Sequence, residues 1–128
     1  MKKLLSFLFL FVLLIACSLK AKALTFEEAY NDQKPMLILV YAEWADNYSS
    51  YLNTFNALEG AYGDKFNFVA LDIAKADAKA FNARYHIYPN LPYMLMFRDN
   101  GKVSRYIQRD CILNESCVNS RLKSFIHQ

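Results

Sequence analysis

The chain has 128 residues, of which 55% are hydrophobic and 16% aromatic. This length allows a single domain, and the aromatic content excludes an intrinsically disordered protein because disordered chains contain few aromatic residues. Three glycines and three prolines exclude collagen-like and linker-like chains. The formal net charge of the chain is +3, and without Lys2 and Lys3 it is +1 (3 − 2). A charge this small gives no reason to propose a nucleic acid as partner.

The first residues predict an exported protein. Lys2 and Lys3 precede an apolar run over residues 4–15, and this order is typical of a secretory signal. The run is shorter than the roughly 20 residues that a membrane-spanning helix needs. An uncleaved N-terminal anchor is the alternative. We predict a signal peptide over residues 1–16.

Two cleavage sites compete after the apolar run. Leu14-Ile15-Ala16-Cys17 resembles the bacterial lipobox, in which the cysteine is lipidated and becomes the mature N-terminus. Ala21-Lys22-Ala23 instead fits the small-x-small site of ordinary signal peptidase, which would leave a soluble protein. We favour the lipobox because its cysteine directly follows the apolar run. Lipidated Cys17 would then anchor a tether over residues 17–24 and a domain over residues 25–128.

The other two cysteines fit an oxidising compartment. Cys111 and Cys117 form an even pair with C-x₅-C spacing, and such pairs in exported proteins commonly form disulfides. We predict a structural disulfide, which would stabilise the fold by roughly 2 kcal/mol through the short loop that it closes. The alternative is a relocated redox pair, which needs an exposed cysteine with a lowered pKa.

The first elements of the domain are a helix and a strand. Thr25-Phe26-Glu27-Glu28 matches a capping box and predicts a short helix to about Gln33, which Pro35 ends. The continuous apolar run over residues 36–42 predicts a strand that is buried on both faces of a sheet.

A longer helix, a second strand and an alanine-rich helix follow. Asp46 or Asn47 is expected to cap the longer helix. Apolar residues with three-and-four spacing form one face of this helix: Tyr48, Tyr51, Leu52, Phe55, Leu58 and Tyr62. Residues 66–73 predict the second strand, and residues 77–85 predict the alanine-rich helix.

The last third of the chain predicts a hairpin and a final helix. Strands over residues 93–98 and 103–108 are joined by the turn Asp99-Asn100-Gly101-Lys102. The final helix starts at about Glu115. The resulting order, α-β-α-β-α-β-β-α, predicts an α/β fold with a central mixed sheet of about four strands flanked by helices on both faces.

Three local patterns in this order resemble the thioredoxin family. Leu39-Val40-Tyr41-Ala42-Glu43-Trp44 is similar to the strand that leads into the W-C-x-x-C motif, and Leu91-Pro92-Tyr93-Met94-Leu95-Met96-Phe97 is similar to the segment around the cis-proline. The hairpin turn at residues 99–102 is the third pattern. The resemblance covers residues 25–128 and implies a thioredoxin-like fold. The opening helix is closer to the periplasmic thioredoxin-like branch than to cytosolic thioredoxin.

The chain departs from the family at the residues that exchange disulfides. Ala45-Asp46-Asn47-Tyr48 stands where the family has C-x-x-C, and exchange needs both an attacking thiolate and a resolving thiol. Leu39 stands where the family has a buried acid. The loop before Pro92 is one residue longer than the family spacing. The resemblance therefore implies the fold without the redox cycle.

The same resemblance places a candidate binding face around these positions. Trp44 is either a contact residue on a binding face or a residue that packs in the core, and both interpretations stay open. Tyr48 is expected to fill the space of the second thiol. Leu91 and Pro92 could offer backbone N–H and C=O groups to an extended peptide, or could form only a structural turn. The complete set of binding candidates is Trp44, Ala45, Tyr48, Leu91, Pro92 and Tyr93.

No metal or cofactor site is predicted. His86 and His127 are isolated in the sequence and lack the ligand spacing of a metal site. Glu43 and Asp72 are interpreted as solvated charges, because hydrolytic chemistry needs more than two unrelated acids. The basic residues Lys75, Lys79 and Arg84 are interpreted as a solvated helix face.

These observations favour a redox-inactive, membrane-tethered thioredoxin-like domain in the bacterial cell envelope. Its expected partner is an envelope protein or an extended peptide. A thiol–disulfide oxidoreductase with Cys111 and Cys117 as catalytic residues is the alternative from a different class. An accessory subunit whose domain is only a rigid packing module is a third interpretation.

Overall fold

The computed structural model describes residues 24–127. The predicted signal peptide, both cleavage sites and the lipidation site at Cys17 lie outside these residues. No helix within the described part of the chain is long and apolar enough to cross a membrane. The elements in chain order are α1 (Phe26–Tyr30), β1 (Met36–Tyr41), α2 (Tyr48–Tyr62), β2 (Asn67–Asp72), α3 (Asp77–Arg84), β3 (Tyr93–Arg98), β4 (Val103–Ile107), α4 (Arg109–Ile112) and α5 (Glu115–Ile126).

The four strands form one mixed sheet in the order β2-β1-β3-β4. β1 pairs in parallel with β2 and antiparallel with β3, and β3 pairs antiparallel with β4. The parallel pair is joined by α2, because parallel neighbours need a long crossover. Leu39 lies at the centre of the sheet, between Ala70 of β2 and Met94 of β3. The predicted mixed sheet is therefore confirmed.

Both faces of the sheet are covered by apolar packing. Successive residues of a strand point to opposite faces, so β1 supplies both halves of the core. Leu37 and Leu39 pack into a first cluster with Phe55 of α2 and Phe125 of α5. The second cluster packs β1 against α1 and α3, and it includes Phe26, Ile38, Val40, Val69, Phe81 and Tyr93. The prediction of a strand buried on both faces is confirmed.

The first helix begins as the capping box predicts and ends earlier than expected. The Thr25 hydroxyl accepts a hydrogen bond from the Glu28 N–H at 3.2 Å, and the Glu28 carboxylate accepts one from the Thr25 N–H at 3.3 Å. The helix stops at Tyr30 rather than at about Gln33. The Asn31 side chain donates to the Glu27 carbonyl at 3.0 Å and so satisfies an acceptor at the helix end.

The start of α2 differs from the expectation in detail. Asn47 occupies the N-cap position, but it adopts a left-handed conformation with φ of 60° and its side chain makes no capping hydrogen bond. Its carbonyl accepts the first hydrogen bonds of the helix, from the N–H groups of Ser50 and Tyr51. The expected side-chain cap at Asn47 is therefore wrong, and the left-handed turn that Asn tolerates replaces it.

A short helix and a disulfide follow the hairpin. The helix α4 was not predicted, because its four residues are too few to show a periodic pattern. Cys111 of α4 and Cys117 of α5 are joined in a disulfide, with 5.4 Å between their Cα atoms. The predicted pairing is confirmed, and it links two helices that pack on the same face of the sheet.

Candidate functional site

The predicted binding segments meet at one end of the sheet. β1 ends at Tyr41 where β3 begins at Tyr93, because the two strands are antiparallel and Val40 pairs with Tyr93. β4 ends at the same place, since Ile107 pairs with Met94. The loop over residues 42–47, the loop over residues 85–92 and the start of α4 therefore all leave the sheet at this end. We call the surface that these three segments form the site face.

Trp44 projects from the site face into solvent. Its side chain is 72% exposed, more than any other large hydrophobic side chain among residues 24–127. Two successive turns surround it: the Ala45 N–H donates to the Ala42 carbonyl at 3.1 Å, and the Tyr48 N–H donates to the Ala45 carbonyl at 3.3 Å. Core packing, the alternative considered for Trp44, is wrong.

Tyr48 packs against the end of β1. Its ring lies parallel to the ring of Tyr41, with 6.2 Å between the centroids and 6° between the planes. The stack leaves Tyr48 half-buried, which agrees with a side chain that fills space. Burial raises the pKa of Tyr41, and the nearby carboxylates of Asp72 and Glu43 raise it further. The Tyr41 hydroxyl therefore stays protonated at neutral pH.

The peptide bond between Leu91 and Pro92 is cis. Both residues are buried, and the Leu91 N–H donates to the Pro89 carbonyl at 3.0 Å. Because that N–H already has an acceptor, the expectation that Leu91 offers it to a peptide is wrong.

Tyr93 lies beneath the site face rather than on it. Its side chain is fully buried, and its hydroxyl accepts a hydrogen bond from the Tyr88 N–H at 3.2 Å. Burial raises the pKa of Tyr93. The prediction that Tyr93 contacts a partner is therefore corrected: its position on the inner face of β3 places it in the second core cluster.

Two tyrosines that the sequence did not single out lie above Tyr93. Tyr88 is 47% exposed and Tyr106 is 37% exposed. The centroids of their rings are 5.5 Å apart, and each ring lies within 5.4 Å of the ring of Tyr93. We call Tyr88, Tyr93 and Tyr106 the tyrosine cluster. One indication of this cluster is present in the sequence: Tyr106 is an aromatic residue that follows two polar residues, Ser104 and Arg105, in a strand.

The Arg109 side chain extends from α4 to α2 and to the loop that carries Trp44. Its Nε donates to the Tyr51 hydroxyl at 3.1 Å, and one Nη donates to the backbone carbonyl of Asp46 at 3.4 Å. The guanidinium carbon lies 5.4 Å from the centroid of the Tyr51 ring. The hydrogen bond to Tyr51 raises the pKa of Arg109, so the side chain is a permanent cation.

An open cleft of about 480 Å³ lies beside Arg109. Its wall combines one aromatic ring from the tyrosine cluster with amide, hydroxyl and charged groups. The lining residues are Tyr51, Asn90, Tyr106, Gln108, Arg109 and Asp110. The site face thus offers exposed aromatic surface, one fixed cation and several hydrogen-bonding groups, and its loops over residues 42–47 and 85–92 contain no cysteine.

The other titratable residues that the sequence analysis considered lie apart from the cleft lining. Within residues 24–127, no group of three or more His, Cys, Asp and Glu side chains is arranged so that it could hold a metal ion. His86 packs edge-to-face against Tyr88, with 5.7 Å between the ring centroids. Asp72, which was interpreted as a solvated charge, is instead buried, and its carboxylate accepts a hydrogen bond from the Ala74 N–H at 3.0 Å.

Comparison with solved structures identifies the architecture. The germline-specific thioredoxin Deadhead from Drosophila melanogaster has a TM-score of 0.59 at 19% identity, covering 77% of this chain and 86% of that chain. Oxidised mitochondrial thioredoxin 3 from Saccharomyces cerevisiae has a TM-score of 0.58 at 17% identity, with the same two coverages of 77% and 86%. A poplar thioredoxin h has a TM-score of 0.60 at 18% identity, covering 80% of this chain and 85% of that chain.

Sequence comparison adds nothing to this likeness. No family model matches the sequence, and no curated protein matches it significantly. At identities below 20%, the likeness to the three thioredoxins concerns the fold alone. The chain has a thioredoxin-like α/β fold, with a four-stranded mixed sheet flanked by helices.

Proposed function

We propose that this domain is a redox-inactive binding module that binds proteins or extended peptides in the cell envelope. The observation that carries the proposal is the exposed Trp44, which stands beside helix-start positions that contain Ala45 and Tyr48 rather than thiols. A face that keeps exposed aromatic surface but has no cysteine at the start of α2 is suited to binding rather than to disulfide exchange.

The absence of a thiol at the start of α2 removes the usual route of disulfide exchange. Exchange proceeds by attack of a thiolate on a disulfide sulfur, and a second thiol then resolves the mixed disulfide. Neither Ala45 nor Tyr48 can perform these steps. Leu39 is fully buried at the centre of the sheet, and its side chain cannot take up a proton. Its apolar surface would also disfavour a thiolate placed near it.

The alternative enzyme would use Cys111 and Cys117 instead. A reactive cysteine is partly exposed and has a lowered pKa. Cys111 is buried in the first core cluster with Ile112 and Val118, and it is already bonded to Cys117. These surroundings are typical of a structural disulfide, so the binding module has more support than the oxidoreductase.

Aromatic residues on the site face supply the expected contacts. Tyrosine and tryptophan carry much of the energy of protein interfaces because they bury large areas at low conformational cost. Trp44, Tyr88 and Tyr106 are all at least 37% exposed at the same end of the sheet. The Leu91 carbonyl beside cis-Pro92 provides a backbone acceptor for a segment that lies across this face as a strand.

Photo-crosslinking tests the binding face. A benzophenone amino acid at Trp44 should trap an envelope protein or peptide in intact cells, whereas the same probe at Lys102 should trap none. Lys102 is a matched exposed position in the hairpin at the other end of β3, roughly 20 Å away along the strand. Equal adducts at both positions, or none at Trp44, would contradict the proposed face.

We further propose that lipid on Cys17 holds the domain at the membrane. The support is the sequence Leu14-Ile15-Ala16-Cys17, and the residues between Cys17 and the start of α1 would act as a short tether. Cys17→Ala should abolish lipidation and block processing or release the domain. An unchanged mature mass and membrane partition in this variant would contradict the anchor. A soluble protein that starts at Leu24 would support cleavage after Ala23.

A further inference from the structure

Arg109 is a cation whose hydrogen-bond partners are neutral. The guanidinium group has five N–H donors in a rigid planar fork. One of them bonds the Tyr51 hydroxyl and another bonds the Asp46 carbonyl. Both acceptors hold the guanidinium in place without neutralising it. The remaining donors belong to a side chain that lines the cleft of about 480 Å³.

Two acidic residues lie near this cation, and neither pairs with it. Asp46 meets Arg109 through its backbone carbonyl rather than its carboxylate. Asp110 is the next residue of α4, and neighbouring residues of a helix do not face each other. No carboxylate of residues 24–127 forms an ion pair with Arg109; the two acids act on it only electrostatically, at longer range.

We propose that the cleft beside Arg109 binds an aspartate or glutamate side chain of the partner segment, and that Arg109 is the residue that anchors it. This inference rests on the proposed function, because it assumes that an extended segment lies across the site face. A carboxylate matches the guanidinium fork in charge and geometry and can accept two parallel hydrogen bonds from it.

Three other residues of the cleft fit the same ligand, whereas Asp110 opposes it as a like charge. The amide groups of Asn90 and Gln108 line the cleft and are donors that a carboxylate oxygen can accept from. The ring of Tyr106, which is part of the cleft wall and 37% exposed, offers apolar area to the stem of the acidic side chain. Arg109 therefore selects the charge, and the neighbouring residues contact the oxygen atoms and the stem of the same side chain.

Two degenerate peptide pools test this inference directly. Both are fluorescein-labelled dodecapeptides whose flanking positions mix Ala, Val, Ser and Thr; the central residue is Glu in one pool and Gln in the other. Fluorescence anisotropy would measure binding of each pool to the full chain in detergent. We expect the wild type to bind the Glu pool about tenfold more tightly than the Gln pool, since hydrogen bonds between two charged groups are stronger than those in which one partner is neutral. The preference should shrink as NaCl is added.

Substitutions at the cleft make the test specific. Arg109→Gln should bind both pools equally, and Arg109→Lys should keep part of the preference because it keeps the charge but loses the fork. Asp110→Asn should strengthen binding of the Glu pool about twofold, because it removes a like charge from the cleft. Arg121→Gln, at a surface arginine of α5 outside the cleft lining, is the matched control and should change nothing.

The outcomes separate this inference from the proposed function. Equal binding of both pools by the wild type would overturn the role of Arg109 while leaving peptide binding intact. Failure of both pools to bind would overturn peptide binding and the inference together. A Glu preference that survives in folded Arg109→Gln protein would also overturn the assignment to Arg109. The first two results depend only on the wild type, so they do not require the variants to fold.

Discussion

The ring of Tyr48 stacks in parallel on the ring of Tyr41, with 6.2 Å between their centroids. Tyr48 is the first residue of α2 and Tyr41 is the last residue of β1. The stack therefore joins the two ends of the loop that carries Trp44. Offset aromatic pairs of this kind contribute about 0.5–1.5 kcal/mol beyond the area they bury. The start of α2 is built around an aromatic contact at the position where the thioredoxin pattern has its second thiol.

Restoring the two thiols should not restore an efficient enzyme. We expect Ala45→Cys combined with Tyr48→Cys to reduce insulin disulfides only weakly, because Leu39 still offers no proton acceptor and desolvates a thiolate. The double variant also loses the stack on Tyr41. The single variant Tyr48→Cys, which lacks an attacking thiol, is the control and should be inactive. Activity of the double variant equal to that of a competent thioredoxin would show that only the thiols had been lost.

Trp44→Ala should weaken binding without weakening the fold. A side chain that is 72% exposed contributes little to the core, so the free energy of unfolding should change by no more than about 0.5 kcal/mol. Peptide affinity should fall at least about tenfold, because tryptophan is one of the residue types that most often carry interface energy. Phe55→Ala provides the contrast: its buried ring should cost roughly 3–5 kcal/mol of stability. Urea denaturation of the two variants measures this difference.

Loss of the disulfide should affect stability but not binding. Cys111→Ser combined with Cys117→Ser opens the short loop between α4 and α5 and should lower the free energy of unfolding by roughly 2 kcal/mol. Dithiothreitol should lower the stability of the wild type by a similar amount and leave the double variant unchanged. Two freely alkylated thiols in unreduced protein from the envelope would show that the disulfide does not form there.

Alkaline conditions should destabilise the domain through its buried tyrosines. Burial raises the folded-state pKa of Tyr93 above the ordinary value of 10.0, and it also raises the pKa of Tyr106. A raised folded pKa gives stability that is complete below the unfolded pKa and is lost as pH rises through the folded value. We therefore expect the free energy of unfolding to fall above about pH 10.

Tyr93→Phe separates this effect from general alkaline denaturation. The variant should lose roughly 1 kcal/mol at neutral pH, because the Tyr88 N–H loses its hydrogen-bond acceptor. Its stability should then fall less steeply above about pH 10 than that of the wild type. Urea denaturation at each pH measures the free energy of unfolding of both proteins. If this free energy falls equally steeply with pH in the two proteins, Tyr93 does not contribute to the loss of stability.

The order of elements could be predicted from the sequence because each signal is local. The capping box at Thr25 and Glu28 and the apolar run of β1 determine their elements through neighbouring residues alone. The short helix α4 could not be predicted, since its four residues carry no periodicity. The left-handed Asn47 likewise depends on how the preceding loop leaves the sheet.

The site could be predicted only in part, because its surface is set by tertiary packing. Trp44 and Pro92 were found through motifs. The burial of Tyr93 follows from its place on the inner face of β3, and the tyrosine cluster requires β4 to lie beside that strand. Arg109 reaches Tyr51 across 58 positions of sequence, a contact that no local pattern indicates.

Insulin reduction by the purified wild-type domain tests the central claim most directly. Ala45 and Tyr48 supply no thiol at the start of α2, and Cys111 is buried in a disulfide. We therefore predict no disulfide reduction above the rate given by dithiothreitol alone, at a protein concentration where a thioredoxin is fully active. Reduction above that rate, abolished by Cys111→Ser, would contradict the binding module and establish the oxidoreductase in its place.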